Sequence, residues 1–191
     1  WGNDQEYWKR CAKALGTMYF FMKGTPFIYQ GQEIGMTNVQ FESIDEYDDV
    51  SMRNYYKQEI EKGVPHEDIM HVIWESGRDN SRTPLQWNAS KNGGFSSADQ
   101  TWMKVNPNYK TINIESQQDD PDSILHYYVK MIEVRKQFDT LVYGNYQLLK
   151  TADHIVAYSR TSQDETFYVV VNLSEKEQPF SYTCPWSARI R

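Results

Sequence analysis

The sequence predicts an α/β fold followed by a separate antiparallel β domain. Apolar residues recur at helical spacing through residues 4–22 and form one broad buried stripe. Lys23 and Gly24 then end this helix, because a cation and a glycine are favoured at a helix C-terminus. Residues 25–30 (TPFIYQ) follow directly and predict a short strand, apolar on both faces, as in a covered parallel sheet. Helix, tight turn and buried strand make one step of an α/β fold.

The C-terminal part of the chain has a different periodicity. A helical pattern begins after Pro121-Asp122-Ser123 and extends to Arg135. Three segments with the period of two that is typical of antiparallel strands follow, separated by polar turns: residues 146–149, 154–158 and 166–171. A fourth possible strand lies shortly before Arg191. We therefore predict two domains, residues 1–140 and residues 141–191.

Residues 32–118 form a long irregular stretch that contains two helical patterns, at residues 47–62 and 66–74. A loop of this length in a compact domain is usually either functional or disordered. Its density of Trp and Phe argues against disorder. It also follows the C-terminal end of the predicted strand, which is where α/β folds place their sites. We therefore expect the site residues to lie in this stretch.

Composition excludes several classes of partner. The net charge is −6 and the basic residues form no block, so we expect neither nucleic acid nor a membrane as a partner. No apolar run approaches the roughly 20 residues that span a bilayer. Cys11 and Cys184 lack the spacing of a metal site, so we expect no metal and no cofactor, and a reducing cytoplasm as the location.

Three stretches resemble one known family. They are GTPFIYQGQEIGM at residues 24–36, GRDNSRTPLQW at residues 77–87, and residues 95–109, which include VNPNY. In this order they are similar to the oligo-1,6-glucosidase and dextran glucosidase group of the α-amylase superfamily, glycoside hydrolase family 13. The likeness is collinear over residues 1–175, which makes it far more specific than any single motif.

The resemblance implies an architecture. Residues 1–140 would be the C-terminal part of a (β/α)₈ TIM barrel, with its last strand, a long loop and its last helix. Residues 141–191 would begin a partial antiparallel β-sandwich domain. A complete barrel needs roughly 250 residues, so this chain cannot close one alone. Its open sheet edges are expected to favour dimerisation.

The resemblance also implies an activity. It indicates part of a retaining exo-α-glucosidase that hydrolyses α-1,6-glucosidic bonds in isomalto-oligosaccharides or dextran ends, with an oligosaccharide as substrate. Trehalose-6-phosphate hydrolase, α-1,4-glucosidase and sucrose isomerase are alternatives within the family. A non-catalytic carbohydrate-binding module is the alternative of another class. None of the 26 acidic residues matches a motif of the family's three catalytic acids, so we assign no catalytic residue and expect the chain to be inactive alone.

Arg78 is the principal candidate for substrate binding. By resemblance it matches the arginine that binds the non-reducing glucose in the deepest subsite, and a guanidinium fork can hold a sugar hydroxyl and an acid together. The alternative is that Arg78 only ties down its own loop through Asp79 or another acid. In this chain we expect Arg78 to be mobile or paired with a local acid such as Asp79. For Arg82 we expect capping of loop carbonyls.

Ser51 is a possible contact for the second sugar. The family usually has an acidic residue there, after the Asp-Asp-Val type of segment that occupies residues 48–50. A serine at this position puts the usual contact to the leaving sugar in question. An alignment shift that recruits Asp49 instead is left open.

Overall fold

The computed structural model describes residues 6–181 of the chain. These residues divide into two compact units, one comprising residues 6–9 and 28–129, the other residues 10–27 and 130–181. Over the described range, no helix is both long and apolar enough to cross a membrane. The division into domains 1–140 and 141–191 stays a prediction.

The described residues form six α-helices and three β-strands. The helices are α1 (Trp8–Phe20), α2 (Val50–Glu61), α3 (His66–Ser76), α4 (Ile114–Gln118), α5 (Ile124–Gln137) and α6 (Asp139–Tyr143). The strands are β1 (Asn145–Leu148), β2 (Ile155–Thr161) and β3 (Thr166–Asn172). The sequence patterns located α1, α2, α3 and α5, although the predicted start of α1 at residue 4 lies outside the described residues.

The first unit is built on a core beneath the long irregular stretch. Helix α3 contributes Ile69, Met70 and Ile73, which are at most 1% exposed. The other buried members of this cluster come from the preceding and following loops: Val39, Phe41, Tyr47 and Met103. Phe41 and Tyr47 stack at a tilt with their ring centroids 5.2 Å apart. This apolar core keeps the irregular stretch ordered, as its aromatic content predicted.

The GQEIGM segment is a tight turn that depends on its glycines. Gly31 has φ 90° and Gly35 has φ 66°, both in the left-handed region that disfavours side chains. At Gly35 a Cβ would lie 2.5 Å from Ile124 Cδ1 and 2.9 Å from Trp8 Nε1. That indole nitrogen donates to the Gly35 carbonyl at 2.6 Å. The motif therefore allows close packing on the backbone.

The strand predicted at residues 25–30 is not formed. Residues 25–29 have no regular secondary structure, residue 30 lies in a turn, and the segment belongs to no sheet of the described chain. Phe27 is 82% exposed and Tyr29 is 54% exposed, whereas the prediction made both buried. A strand needs a hydrogen-bonded neighbour, and no strand of the described residues pairs with this segment. The apolar pattern alone did not determine the local structure.

The second unit contains the predicted antiparallel sheet. Strand β2 lies between β1 and β3, with Tyr158 opposite Leu148 on one side and Val169 on the other. Tyr158 is fully buried, and its hydroxyl donates to the Met18 carbonyl at 2.9 Å. Each strand agrees with its predicted position to within three residues at either end. The possible fourth strand near Arg191 falls in the residues that are not described.

A buried guanidinium organises the backbone of the second unit. Arg160 on β2 is 0% exposed, and within residues 6–181 its hydrogen bonds all go to backbone carbonyls. Its five hydrogen bonds, 2.7–3.3 Å long, reach the carbonyls of Phe21, Leu141, Val142 and Gly144. Burial lowers the pKa of Arg160 from its ordinary value. The cation is tolerated because its donors are satisfied by oxygen acceptors with partial negative charge.

We expect Arg160→Lys to lower the free energy of unfolding by about 3 kcal/mol, since a single ammonium cannot satisfy acceptors spread around a planar fork. Urea denaturation followed by far-ultraviolet circular dichroism measures the change. Arg10→Lys, at an exposed arginine of α1, is the matched control and should stay within about 0.5 kcal/mol of the parent chain. Equal midpoints for the two variants would contradict this role of Arg160.

Candidate functional site

Arg78 is presented at the surface by the end of helix α3. Gly77 ends that helix, and its backbone N–H donates to the Ile73 carbonyl at 2.9 Å. A Cβ at residue 77 would lie 2.8 Å from the same carbonyl oxygen, so the sharp exit favours glycine. The chain then enters a 3₁₀ turn, Arg78–Ser81, whose first residue is Arg78. The Arg78 side chain is 59% exposed.

The Arg78 guanidinium is bound side-on by one buried carboxylate. Its Nε donates to Asp49 Oδ2 at 3.0 Å and its Nη2 donates to Asp49 Oδ1 at 2.6 Å. The backbone N–H of Arg78 donates to the same Oδ2 at 3.1 Å. Asp49 is only 1% exposed. A bidentate pair of this kind fixes the plane of the guanidinium as well as its position.

Arg78 is therefore paired with an acid, but that acid is Asp49 and not the expected Asp79. Asp79 Oδ2 instead accepts the backbone N–H groups of Asp48, at 2.6 Å, and Asp49, at 3.0 Å. These amides lie at the start of α2, where unpaired N–H groups and the helix dipole attract a carboxylate. The other oxygen of Asp79 accepts Arg82 Nη1 at 3.2 Å, so among the described residues Arg82 pairs with an acid and not with the expected loop carbonyls.

Ser51 lies beside Arg78. It occupies the first turn of α2, whose N-cap is Asp49, and its backbone N–H donates to Asp49 Oδ1 at 3.0 Å. Arg78 Nη2 lies 3.3 Å from Ser51 Oγ, within hydrogen-bond distance. The fold thus brings together the two residues that the sequence selected, although 27 positions separate them. Asp49 is buried with both oxygens bonded, so it offers no accessible oxygen to a second sugar.

The pair has a strong electrostatic signature. Hydrogen bonds from Arg78 hold the pKa of the Asp49 carboxyl well below its usual range, against the opposing effect of burial. The same interaction raises the pKa of Arg78 above its ordinary value. Both groups are therefore charged at any physiological pH. The site presents an exposed, oriented cation next to a hydroxyl.

Sequence reasoning missed the roles of Asp49 and Asp79. The signal for Asp49 as an N-cap was available, because an acid directly precedes the helical pattern. Nothing in the sequence linked it to Arg78, 29 residues further on. Within residues 6–181, no group of three or more His, Cys, Asp or Glu side chains is arranged to hold a metal ion.

Residues 1–144 match the family described as alpha amylase, catalytic domain, and the chain belongs to this family. The resemblance inferred from the three motifs is thereby confirmed at the level of the family.

Two of the similar proteins are bacterial glucosidases. The chain is 51% identical over 178 residues to a glucan 1,6-alpha-glucosidase of Streptococcus pneumoniae, covering 93% of this chain and 33% of that protein. It is 49% identical to a probable oligo-1,6-glucosidase of Bacillus subtilis, covering 91% of this chain and 31% of that protein. The chain thus spans about a third of the length of the curated relatives that it matches.

Solved structures of the same family have the same fold. The trehalose-6-phosphate hydrolase of Bacillus licheniformis superposes with a TM-score of 0.91 at 41% identity, over 97% of this chain and 33% of that protein. The isomaltulose synthase of Protaminobacter rubrum superposes with a TM-score of 0.84 at 42% identity, over 91% of this chain and 31% of that protein.

We expect the Asp49 carboxyl to remain ionised at pH 3.5, below the ordinary aspartate pKa of about 3.9. A lowered pKa in the folded state means that the stabilisation is complete above the unfolded pKa and is lost as pH falls through the folded pKa. Carboxyl ¹³C NMR follows the titration. In Arg78→Ala the same buried carboxyl should titrate at least about one pH unit higher, and an unchanged titration would show that the pair does not form.

Proposed function

We propose that this chain forms one wall of the sugar pocket in a retaining exo-α-glucosidase that acts on α-1,6-glucosidic bonds of isomalto-oligosaccharides or dextran ends. The observation that supports this most is the exposed Arg78 fork, held by buried Asp49 beside Ser51. Arg78 would bind the non-reducing glucose and Ser51 would lie at the second sugar. The names of the curated relatives support the α-1,6 specificity.

The proposed chemistry divides between this chain and other segments. Retaining glycosidases use two carboxyl groups about 5 Å apart, one as nucleophile and one as acid and base. No acid of this chain matches a catalytic motif of the family, so its contribution would be binding and orientation. A cation beside the sugar hydroxyls would hold the substrate in register with catalytic groups supplied from elsewhere.

The architecture that we propose for the whole enzyme is a (β/α)₈ barrel of which residues 1–140 form the last part, followed by a β-sandwich that begins at residue 141. The exposed apolar side chains of Phe27, Ile28 and Tyr29 support this, because a barrel strand would bury them. The open three-stranded sheet of β1, β2 and β3 supports the proposed β-sandwich. Dimerisation through open edges and a cytoplasmic location stay predictions.

Trehalose-6-phosphate hydrolase is the second candidate, favoured by the TM-score of the Bacillus licheniformis enzyme. Two chimeras separate the candidates. In one, this chain replaces the matching third of the Streptococcus pneumoniae glucosidase, and in the other it replaces the matching third of the hydrolase. We expect the glucosidase chimera to keep kcat/KM on isomaltose within about tenfold of its parent enzyme. We expect the hydrolase chimera to lose more than about tenfold in kcat/KM on trehalose 6-phosphate. The reverse order would favour the hydrolase.

The chain without a partner segment is the control. It should not hydrolyse p-nitrophenyl α-glucoside or isomaltose above background, because the nucleophile and the general acid are needed together. Binding of isomaltose or dextran to the chain alone with a Kd of about 1 mM or better would instead favour the carbohydrate-binding module.

We expect Arg78→Ala in the glucosidase chimera to lower kcat/KM on isomaltose by roughly ten- to a hundredfold. A hydrogen bond to a charged group contributes about 1.5–3 kcal/mol, which corresponds to this range. Arg78→Lys should recover little, because an ammonium cannot bind Asp49 and a sugar with one planar fork. Unchanged kcat/KM in Arg78→Ala would exclude Arg78 from the pocket.

We expect Ser51→Glu in the same chimera to lower KM for isomaltose and to change KM for an aryl glucoside by less than about twofold. The added carboxylate would accept hydroxyls of the second sugar, which the aryl substrate lacks. Steady-state kinetics on both substrates measures the difference. Equal changes on the two substrates would mean that residue 51 does not line the leaving-group site.

A further inference from the structure

Among the described residues, the protein binds the Arg78 guanidinium along one of its edges. The Nε and Nη2 atoms bind Asp49, and Nη2 also lies 3.3 Å from Ser51 Oγ. Within residues 6–181 no hydrogen bond engages Nη1, and the side chain is 59% exposed. One edge of the fork is therefore anchored to the protein, and the other remains for a ligand.

Asp49 is in turn held by Asp79. The Asp49 carboxylate binds the backbone and side chain of Arg78, while the Asp79 carboxylate binds the backbone N–H of Asp49 at 3.0 Å and of Asp48 at 2.6 Å. Each of the two segments, residues 48–49 and 78–79, thus supplies a carboxylate that binds the backbone of the other. We call this arrangement the reciprocal contact.

Each carboxylate of the reciprocal contact depends on its own set of donors. Asp49 and Asp79 are 1% and 0% exposed, and a buried carboxylate needs a charged or hydrogen-bonded partner. Arg78 fills this need for Asp49, whereas the amides at the start of α2 and Arg82 fill it for Asp79. An arginine on an exposed turn would otherwise sample many rotamers. The hydrogen bonds to buried Asp49 instead hold the Arg78 side chain in one orientation.

We infer that Asp49 is a positioning residue of the sugar pocket, which fixes the Arg78 fork so that its Nη1 edge is available to the substrate, with Asp79 holding Asp49 in place. This rests on the proposed function of Arg78. Asp49 itself does not contact the sugar. Losing it lowers the fraction of enzyme with a competent Arg78, which raises the apparent dissociation constant and leaves turnover at saturation largely intact.

The test uses Asp49→Asn in the glucosidase chimera. Asparagine keeps the size of the side chain and its ability to cap α2, but it removes the charge. We expect KM for isomaltose to rise at least about tenfold while kcat stays within about threefold. In an Arg78→Ala background the same substitution should have no further effect on kcat/KM, because Asp49 acts through Arg78.

A second readout uses the 191-residue chain itself. The ¹⁵N NMR signal of Arg78 Nε–H should be protected from exchange in the parent chain and lost in Asp49→Asn. Asp45→Asn is the matched control, because Asp45 is exposed and lies four residues earlier; it should keep the protected signal and the parent KM. Thermal unfolding verifies that each variant is folded. If Asp49→Asn is not, Asp79→Asn replaces it, with the same expected direction.

The outcomes separate the two proposals. If Arg78→Ala raises KM and Asp49→Asn does not, the positioning role is overturned and the pocket assignment stands. Additive effects in the double variant, or a protected Nε–H signal in Asp49→Asn, also overturn the positioning role. If Arg78→Ala itself changes neither KM nor kcat, the pocket assignment fails, and with it the basis of this inference.

Discussion

The candidate site depends on the requirement that a buried charge be compensated. Asp49 and Asp79 are both removed from water, and an ionised carboxylate in that position is stable only when donors surround it. Asp49 meets the requirement by taking three hydrogen bonds from Arg78, and Asp79 by accepting backbone amides and Arg82. The orientation of an exposed arginine is thus a consequence of what is buried beneath it.

The second unit meets a related requirement with the opposite charge. Arg160 is buried and donates to backbone carbonyls. Arg135 does the same, with hydrogen bonds to the carbonyls of Phe20, Gly24 and Leu141. Carbonyls at the end of a helix and in a turn lack intrahelical partners, so guanidinium donors stabilise them. Here the buried cations hold backbone in place, whereas in the first unit a buried acid presents a cation to solvent.

The GQEIGM and GRDNSRTPLQW segments owe their shapes to different causes. In the first, Gly31 and Gly35 allow left-handed backbone and close packing. In the second, Gly77 ends α3 sharply, so that Arg78 emerges at the start of a new turn. Glycine in the first case permits an otherwise unfavourable conformation, and in the second it leaves room for a carbonyl. Family motifs of this kind therefore encode backbone geometry as much as chemistry.

The amino-acid pattern by itself determined four of the six described helices, the three antiparallel strands and the family. Periodicity reports which face of an element is buried, and that information is local. Resemblance to the motifs of the family also identified Arg78 and Ser51 as candidate site residues. Residues 25–30 pair with no strand of the described chain, because a strand forms only where a neighbour accepts its hydrogen bonds.

Only the tertiary structure decided which acid pairs with Arg78. Asp79 is its neighbour in sequence, yet the start of α2 attracts that carboxylate, and Asp49 binds the guanidinium from 29 residues away. The sequence shows which residues are neighbours along the chain. It does not show which distant backbone amides lack a hydrogen-bond partner. That competition for donors is settled only when the segments pack together, and it determines how the candidate site is oriented.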